Sequence, residues 1–230
     1  MSRAELCYSA KLAEHSERYA DMIQTVKELV NETNGSLNDE ERTLLSVAYK
    51  QAVGERRQAW RVICHYEEKH RSRGDANMGL IEEYKEMIKQ ELSGLCNDIA
   101  GLVDQKLMSQ GETDEIKVFY EKMKGDYFRY MSETDDQESV QKSKVAYESA
   151  SQLAASLPAN NPVKIGLALN FSVFYYEVLK EKESACSLAK TTFDEALPLL
   201  EELDERAYKE ATSILGLIKD NLSIWSSEED

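Results

Sequence analysis

The chain has 230 residues, 43 of them acidic against 28 basic, and a formal charge of −15 at pH 7. That balance argues against a binding face for nucleic acid or anionic lipid, whose phosphates most of this surface would repel. With only three Pro and ten Gly, and long stretches of Ala, Leu, Glu, Lys and Gln, the composition predicts an all-α fold as one large or two small domains.

Leu6 and Leu12 mark a first short helix from Ala4 to about His15. Met22, Ile23, Val26 and Leu29 recur at helical spacing in a second, from Tyr19 to about Val30. Beyond the break at Asn34-Gly35-Ser36, Asn38 is placed to cap a third helix, and Asp39-Glu40-Glu41 suit the positive end of its dipole. No proline interrupts that helix before about His70, and Leu44, Leu45, Val47, Ala48, Ala52, Val53, Trp60 and Val62 carry its apolar pattern. A turn at Arg71-Ser72-Arg73-Gly74-Asp75 leads to a second long helix ending near Leu107. Gln110-Gly111-Glu112-Thr113 opens a fifth helix reaching about Met131, and Thr134-Asp135-Asp136-Gln137 opens a sixth that ends near Pro158.

Pro162 falls in the first turn of the seventh helix, where its missing N–H costs little. Helices from about Glu183 and about Asp204 bring the expected total to nine. Pro198 lies inside the eighth pattern and removes the bond to the Asp194 carbonyl, which predicts a kink or an early end there. Short connections predict antiparallel packing of sequential neighbours.

Cys7, Cys64, Cys96 and Cys186 are dispersed, with no CxxC pair and only three His (His15, His65, His70), so neither zinc nor a disulfide framework is expected. The N-terminus shows no apolar signal core, and the expected compartment is the cytoplasm, with the nucleus also open to it. The sequons at Asn31, Asn170 and Asn221 then have no glycosylation machinery to meet.

The longest mostly apolar run, Lys164 to Glu177, is too short for a membrane span of about 20 residues. Within it Asn170 and Glu177 are seven apart and return to nearly one face of a helix, beside Leu169 and Val173. Such a face suits an extended peptide, offering amide-capable groups for its backbone and aliphatic carbon for its side chains. A buried helix whose polar residues pair internally is the competing explanation. Lys50 and Arg57 share one side of the third helix, and Lys122, Asp126, Arg129 and Tyr130 share one side of the fifth. Ile214, Leu217, Asn221 and Trp225 form a stripe on the last helix. If these faces line one groove, Lys50, Arg57, Arg129 and the Tyr130 hydroxyl clamp a phosphate, and Asn170 and Asn221 hold a peptide backbone.

Several ordered blocks carry a resemblance. Arg42-Thr43-Leu44-Leu45-Ser46-Val47-Ala48-Tyr49-Lys50, Lys117-Val118-Phe119-Tyr120, Lys124-Gly125-Asp126-Tyr127-Phe128-Arg129-Tyr130, Gly166 through Glu177, and Asp220-Asn221-Leu222-Ser223-Ile224-Trp225 resemble signatures of the 14-3-3 proteins, over nearly the whole chain. The resemblance implies nine helices in a single domain over 1–225, with the helices of about 1–70 serving dimerisation and part of the groove, and a short acidic tail at 226–230. It implies a cup-shaped homodimer, open to pairing with a sister isoform, that recognises phosphoserine or phosphothreonine segments.

On matching positions, Lys50, Arg57, Arg129 and Tyr130 take the phosphate, and Asn170 and Asn221 the ligand main chain. Lys122, Asp126, Leu169, Val173, Glu177, Ile214, Leu217 and Trp225 line the rest. Leu12, Ser16 and Tyr84 pack the dimer interface, with Arg18 pairing Glu91 across it. Asp21 faces Met87 where a Lys is usual. Ser213 stands for a Leu, Gly216 for a Gln, and Gln58-Ala59 for a Ser-Ser pair.

The expected function is therefore a phosphopeptide-binding adaptor. A scaffold of the same fold that binds unphosphorylated or acidic segments is the alternative. The chain carries no P-loop, no HExxH, no paired His and no nucleophile–base spacing, so neither catalysis nor a cofactor is expected.

Overall fold

In the computed structural model, which describes residues 1–73, 76–108 and 113–227, the chain begins in a reciprocal cap. Ser2 Oγ accepts the Glu5 N–H, and Glu5 Oε2 accepts the Ser2 N–H at 2.7 Å, so α1 (Arg3–His15) starts with both orphan donors satisfied. After α2 (Tyr19–Glu32), Asn38 and Glu41 repeat the device at the head of α3 (Asp39–Arg71), the cap that the sequence predicts. The expected turn residues Gly74-Asp75, the helix opening Gln110-Gly111-Glu112 and the tail from Glu228 onward lie outside the described residues.

Glu41 does a second job. Its carboxylate, 1 % exposed, receives Arg3 Nε and Nη2 at 2.5 Å each and so ties α1 to the start of α3. The Arg3 guanidinium holds the Glu41 carboxyl below the usual carboxylate range, against the cost of its burial. At 33 residues α3 is about 50 Å long. α4 (Met78–Leu102) passes into a π-helical turn over Val103–Leu107, ending where the apolar pattern does.

In the second half α5 is Asp114–Ser132 and α6 is Gln137–Ala154, four residues short of Pro158. α7 runs Pro162–Phe174, capped by Asn161, whose Oδ1 accepts the Val163 and Lys164 N–H groups. It then widens into a π-helical turn over Tyr175–Leu179, so the regular 100° count from Asn170 towards Glu177 stops at Phe174. α8 (Lys182–Ala196) ends before Pro198, and the chain continues as a 3₁₀ turn over Leu197–Glu202, the early end expected of that proline. α9 is Glu205–Ser227. The described residues thus form nine α-helices and no strand, an all-α fold, and no described helix is long and apolar enough to cross a membrane.

The chain groups into two compact units, Met1–Gln110 with Glu133–Asp135, and Gly111–Ser132 with Asp136–Asp230. In the first, α1 packs on α2, α2 on α3 and α3 on α4. Its core holds Met22, Ile23, Val26 and Leu29, the residues whose spacing marks α2, together with Leu44, Leu45, Ala48 and Val53 of α3. Val62, counted with the apolar pattern of α3, is 56 % exposed. Asp98 binds this unit internally, accepting Tyr49 Oη at 2.5 Å and Lys27 Nζ at 2.6 Å.

In the second unit α7 is central, touching α5, α6, α8 and α9. One apolar cluster gathers Val118, Tyr147, Ala150, Leu167, Phe171 and Phe174, and another gathers Ile165, Ala185, Ala189, Leu215, Ile218 and Trp225.

Gly35 closes the turn before α3 with φ +86°, and a Cβ there would sit 2.0 Å from the Lys106 carbonyl oxygen. Gly35→Ala is therefore expected to lose at least about 2 kcal/mol in urea unfolding. Gly216→Ala, whose Cβ meets no atom within 4 Å, should instead gain roughly 0.5–1 kcal/mol.

Candidate functional site

Spacing along α5 puts Lys122, Asp126 and Arg129 on one side, and the structure joins them through one carboxylate. Asp126 Oδ2 accepts Lys122 Nζ at 2.9 Å. Its Oδ1 accepts Tyr147 Oη from α6 at 2.6 Å and Asn170 Nδ2 from α7 at 2.8 Å, with Arg129 Nη2 3.6 Å away. Arg129 Nε donates in turn to Tyr147 Oη at 3.1 Å, and the guanidinium carbon lies 4.7 Å from the centre of the Tyr130 ring.

Burial opposes the charge on Asp126, but Lys122, Arg129 and the Tyr147 hydroxyl outweigh it and hold the carboxyl below the usual range. Burial also opposes the charge on Arg129, which Tyr147 and Asp126 more than restore. The Tyr147 phenol is pushed well up by its own burial and then by the facing carboxylate. It stays a neutral donor to Asp126 and acceptor from Arg129.

A glycine makes this frame possible. A Cβ on Gly125 would stand 2.7 Å from the Tyr147 ring, so the ring reaches Asp126 only by lying against bare backbone. Ser143 Oγ secures the same crossing by donating to the Gly125 carbonyl at 2.9 Å. The Cβ position of Gly166 is 3.8 Å from Lys122 Cε and 3.7 Å from Ile214 Cδ1, which sets Lys122 and Ile214 over one turn of α7.

Other expected site residues of this unit spread along a gradient of burial. Leu169, Val173 and Ile214 are half-buried at the edge of the apolar cluster built on α7, α8 and α9. Leu217 and Glu177 are exposed and Asn221 is half-buried. Trp225 is only 5 % exposed and stacks on Tyr176 with centroids 4.7 Å apart, anchoring the end of α9.

In the first unit, Arg57 Nε and Nη2 reach Glu133 Oε1 at 3.0 and 2.5 Å, and Arg61 binds the same carboxylate at 3.1 Å. Trp60 Nε1 donates to the Glu133 carbonyl at 3.1 Å. Lys50 is exposed, with no ion-pair partner among the described residues.

Elsewhere in that unit Leu12 and Tyr84 are 55 and 56 % exposed, and Leu80 and Met87 are exposed beside Tyr84 on α4. Ser16 Oγ donates to the Leu12 carbonyl at 2.7 Å. Within the chain Arg18 pairs with Asp21, and Arg56 Nε donates to Glu91 at 3.1 Å.

Tyr147, Glu133 and Arg61 are the residues that sequence reasoning missed. Arg61 had a signal, being one turn beyond Arg57. Tyr147 had none, because it lies 21 positions from Asp126 on another helix.

The family model for 14-3-3 protein matches residues 9–226. The chain is 47 % identical over 235 residues to the checkpoint signal transducer rad25 of Schizosaccharomyces pombe, covering 100 % of this chain and 87 % of that one. It is 48 % identical over 233 residues to the 14-3-3 protein beta/alpha of Homo sapiens (99 % and 94 % covered) and 47 % identical to that of Xenopus tropicalis (99 % and 95 %).

Tyr147→Phe removes the hydroxyl that joins Asp126 to Arg129 and is expected to cost about 1–3 kcal/mol at neutral pH. Because the folded Asp126 carboxyl titrates below its unfolded range, that stabilisation is complete above the range and vanishes as pH falls through the folded value. Urea titrations of both proteins, from neutral pH down through the carboxylate range, should show the gap closing.

Proposed function

The chain belongs to the 14-3-3 family, whose model spans residues 9–226, and from that premise we propose that it binds phosphoserine or phosphothreonine segments of partner proteins and regulates them. Family membership makes it an adaptor and not an enzyme. Lys50, Arg57, Arg129 and Tyr130 are the residues we assign to the phosphate, Asn170 and Asn221 to the ligand main chain, and Lys122, Leu169, Val173, Glu177, Ile214 and Leu217 to its side chains. Asp126 acts through Arg129 and Lys122.

One observation carries this reading. In a protein of charge −15, Arg129 is held in a fixed orientation by Tyr147 and Asp126 and backed by the Tyr130 ring. A guanidinium already oriented loses little freedom on meeting a phosphate, and its planar fork matches the phosphate oxygens. The name of one relative, a checkpoint signal transducer, agrees with an adaptor.

The exposed apolar residues Leu12, Leu80, Tyr84 and Met87 of the first unit support a homodimer. Arg18 and Glu91 are then free to exchange their partners within the chain, Asp21 and Arg56, for one another across the interface.

Fluorescence anisotropy with an Arg-Ser-x-Ser-x-Pro peptide tests the first half. Phosphate on the second serine should create the binding, and Lys50→Glu or Arg129→Ala should weaken it by about 10–100-fold, the loss of one charge-assisted hydrogen bond or more. Equal affinity for both forms of the peptide would replace this reading with that of a scaffold for unphosphorylated segments. For the second half, sedimentation should show a dimer that Leu12→Glu combined with Tyr84→Asp converts to monomer.

A further inference from the structure

Arg57 and Arg61 stand one turn apart on α3, and both close on a single acid. Glu133 Oε1 accepts Arg57 Nε and Nη2 at 3.0 and 2.5 Å and Arg61 Nη2 at 3.1 Å, while Oε2 accepts Arg61 Nε at 3.2 Å. One anion between two planar guanidinium forks is an arrangement that also suits a phosphate. Here the chain's own carboxylate takes that place. Glu133 lies in the turn between α5 and α6 and belongs to the same compact unit as α3.

The turn is tied to α3 by its main chain as well. Trp60 Nε1, from a buried indole, donates to the Glu133 carbonyl at 3.1 Å, a bond that does not involve the side chain. The carboxylate itself acts on Arg57 in two opposed ways. Its oxygen fixes the direction of the guanidinium, as Asp126 does for Arg129. Its charge offsets one of the three cations that α3 places here, Lys50, Arg57 and Arg61.

Access separates this acid from Asp126. The Asp126 side chain is 13 % exposed, whereas those of Glu133 and Arg57 are 25 and 20 % exposed, so an anion from solvent can approach both. A phosphate oxygen on Arg57 would stand roughly 6 Å from the carboxylate, two hydrogen-bond lengths across the guanidinium. Even in the dielectric of water, a phosphate of nearly two charges at that distance is disfavoured about tenfold.

We propose that Glu133 is a counter-charge built into the phosphate site, one that lowers its affinity for a phosphorylated segment. The inference rests on the assignment of Arg57 to the phosphate. Weaker binding appears chiefly as faster release, so this acid sets how long a partner stays docked.

Glu133→Gln keeps an acceptor oxygen for Arg57 and removes the charge. In fluorescence anisotropy with the Arg-Ser-x-Ser-x-Pro peptide phosphorylated on its second serine, this variant should bind about tenfold more tightly than the intact chain. Its affinity should also fall more steeply between about 0.05 and 0.5 M salt. Glu133→Ala, which gives up the orienting oxygen too, should gain less. Urea unfolding establishes that each variant is folded before it is compared. Binding by either folded variant that is no tighter than that of the intact chain, or an unchanged salt dependence, would overturn the counter-charge and leave Glu133 as an orienting group alone. Absence of phosphate-dependent binding in the intact chain and the variants alike would instead overturn the site assignment on which the inference rests.

Discussion

The buried carboxylate of Asp126 is the point on which the second half of this molecule depends. It draws a lysine and an arginine from its own helix, a phenol from α6 and an amide from α7 into one hydrogen-bonded set. A carboxylate removed from water is costly unless its lone pairs are met, and here they are. No buried polar side-chain atom among the described residues lacks a partner. The consequence reaches past stability, because the same bonds that satisfy Asp126 set the direction of Arg129 and the position of Asn170.

The first half uses acids in the same way. Glu41 holds Arg3 and caps α3, Asp98 holds Lys27 and Tyr49, and Glu133 holds Arg57 and Arg61. An excess of acidic residues therefore does not preclude an anion site. Each placed cation is oriented by a fixed carboxylate, while the remaining acids keep the general surface negative and discourage polyanions. Lys50 differs in standing exposed without an ion-pair partner among the described residues.

The helices were legible because their signals are local. Asn38 followed by acids, Pro162 in a first turn, Pro198 near an end and the Met22-Ile23-Val26-Leu29 stripe each act within one or two turns, and each appears where it was expected. The places where the reading weakens are those where periodicity stops being regular. The π-helical turns at Val103–Leu107 and Tyr175–Leu179 leave no mark in the pattern of apolar residues. Val62 fits an apolar stripe yet lies exposed, and Trp225 fits a mixed face yet lies buried on Tyr176. Spacing tells which residues share a side of a helix, and says nothing of what that side meets.

The sequence by itself determined the class of fold, the limits of most helices, the family, and which cations share a helix face, since composition, caps, helical spacing and ordered signature blocks are all properties of neighbouring residues. Only the tertiary structure decided how those cations are held. Tyr147 reaches Asp126 from another helix because Gly125 leaves its ring room, and Glu133 reaches Arg57 across 76 positions of chain. Contacts of that kind come from the packing of whole helices, in which a hydrogen bond is set by distance in space and not by separation along the chain.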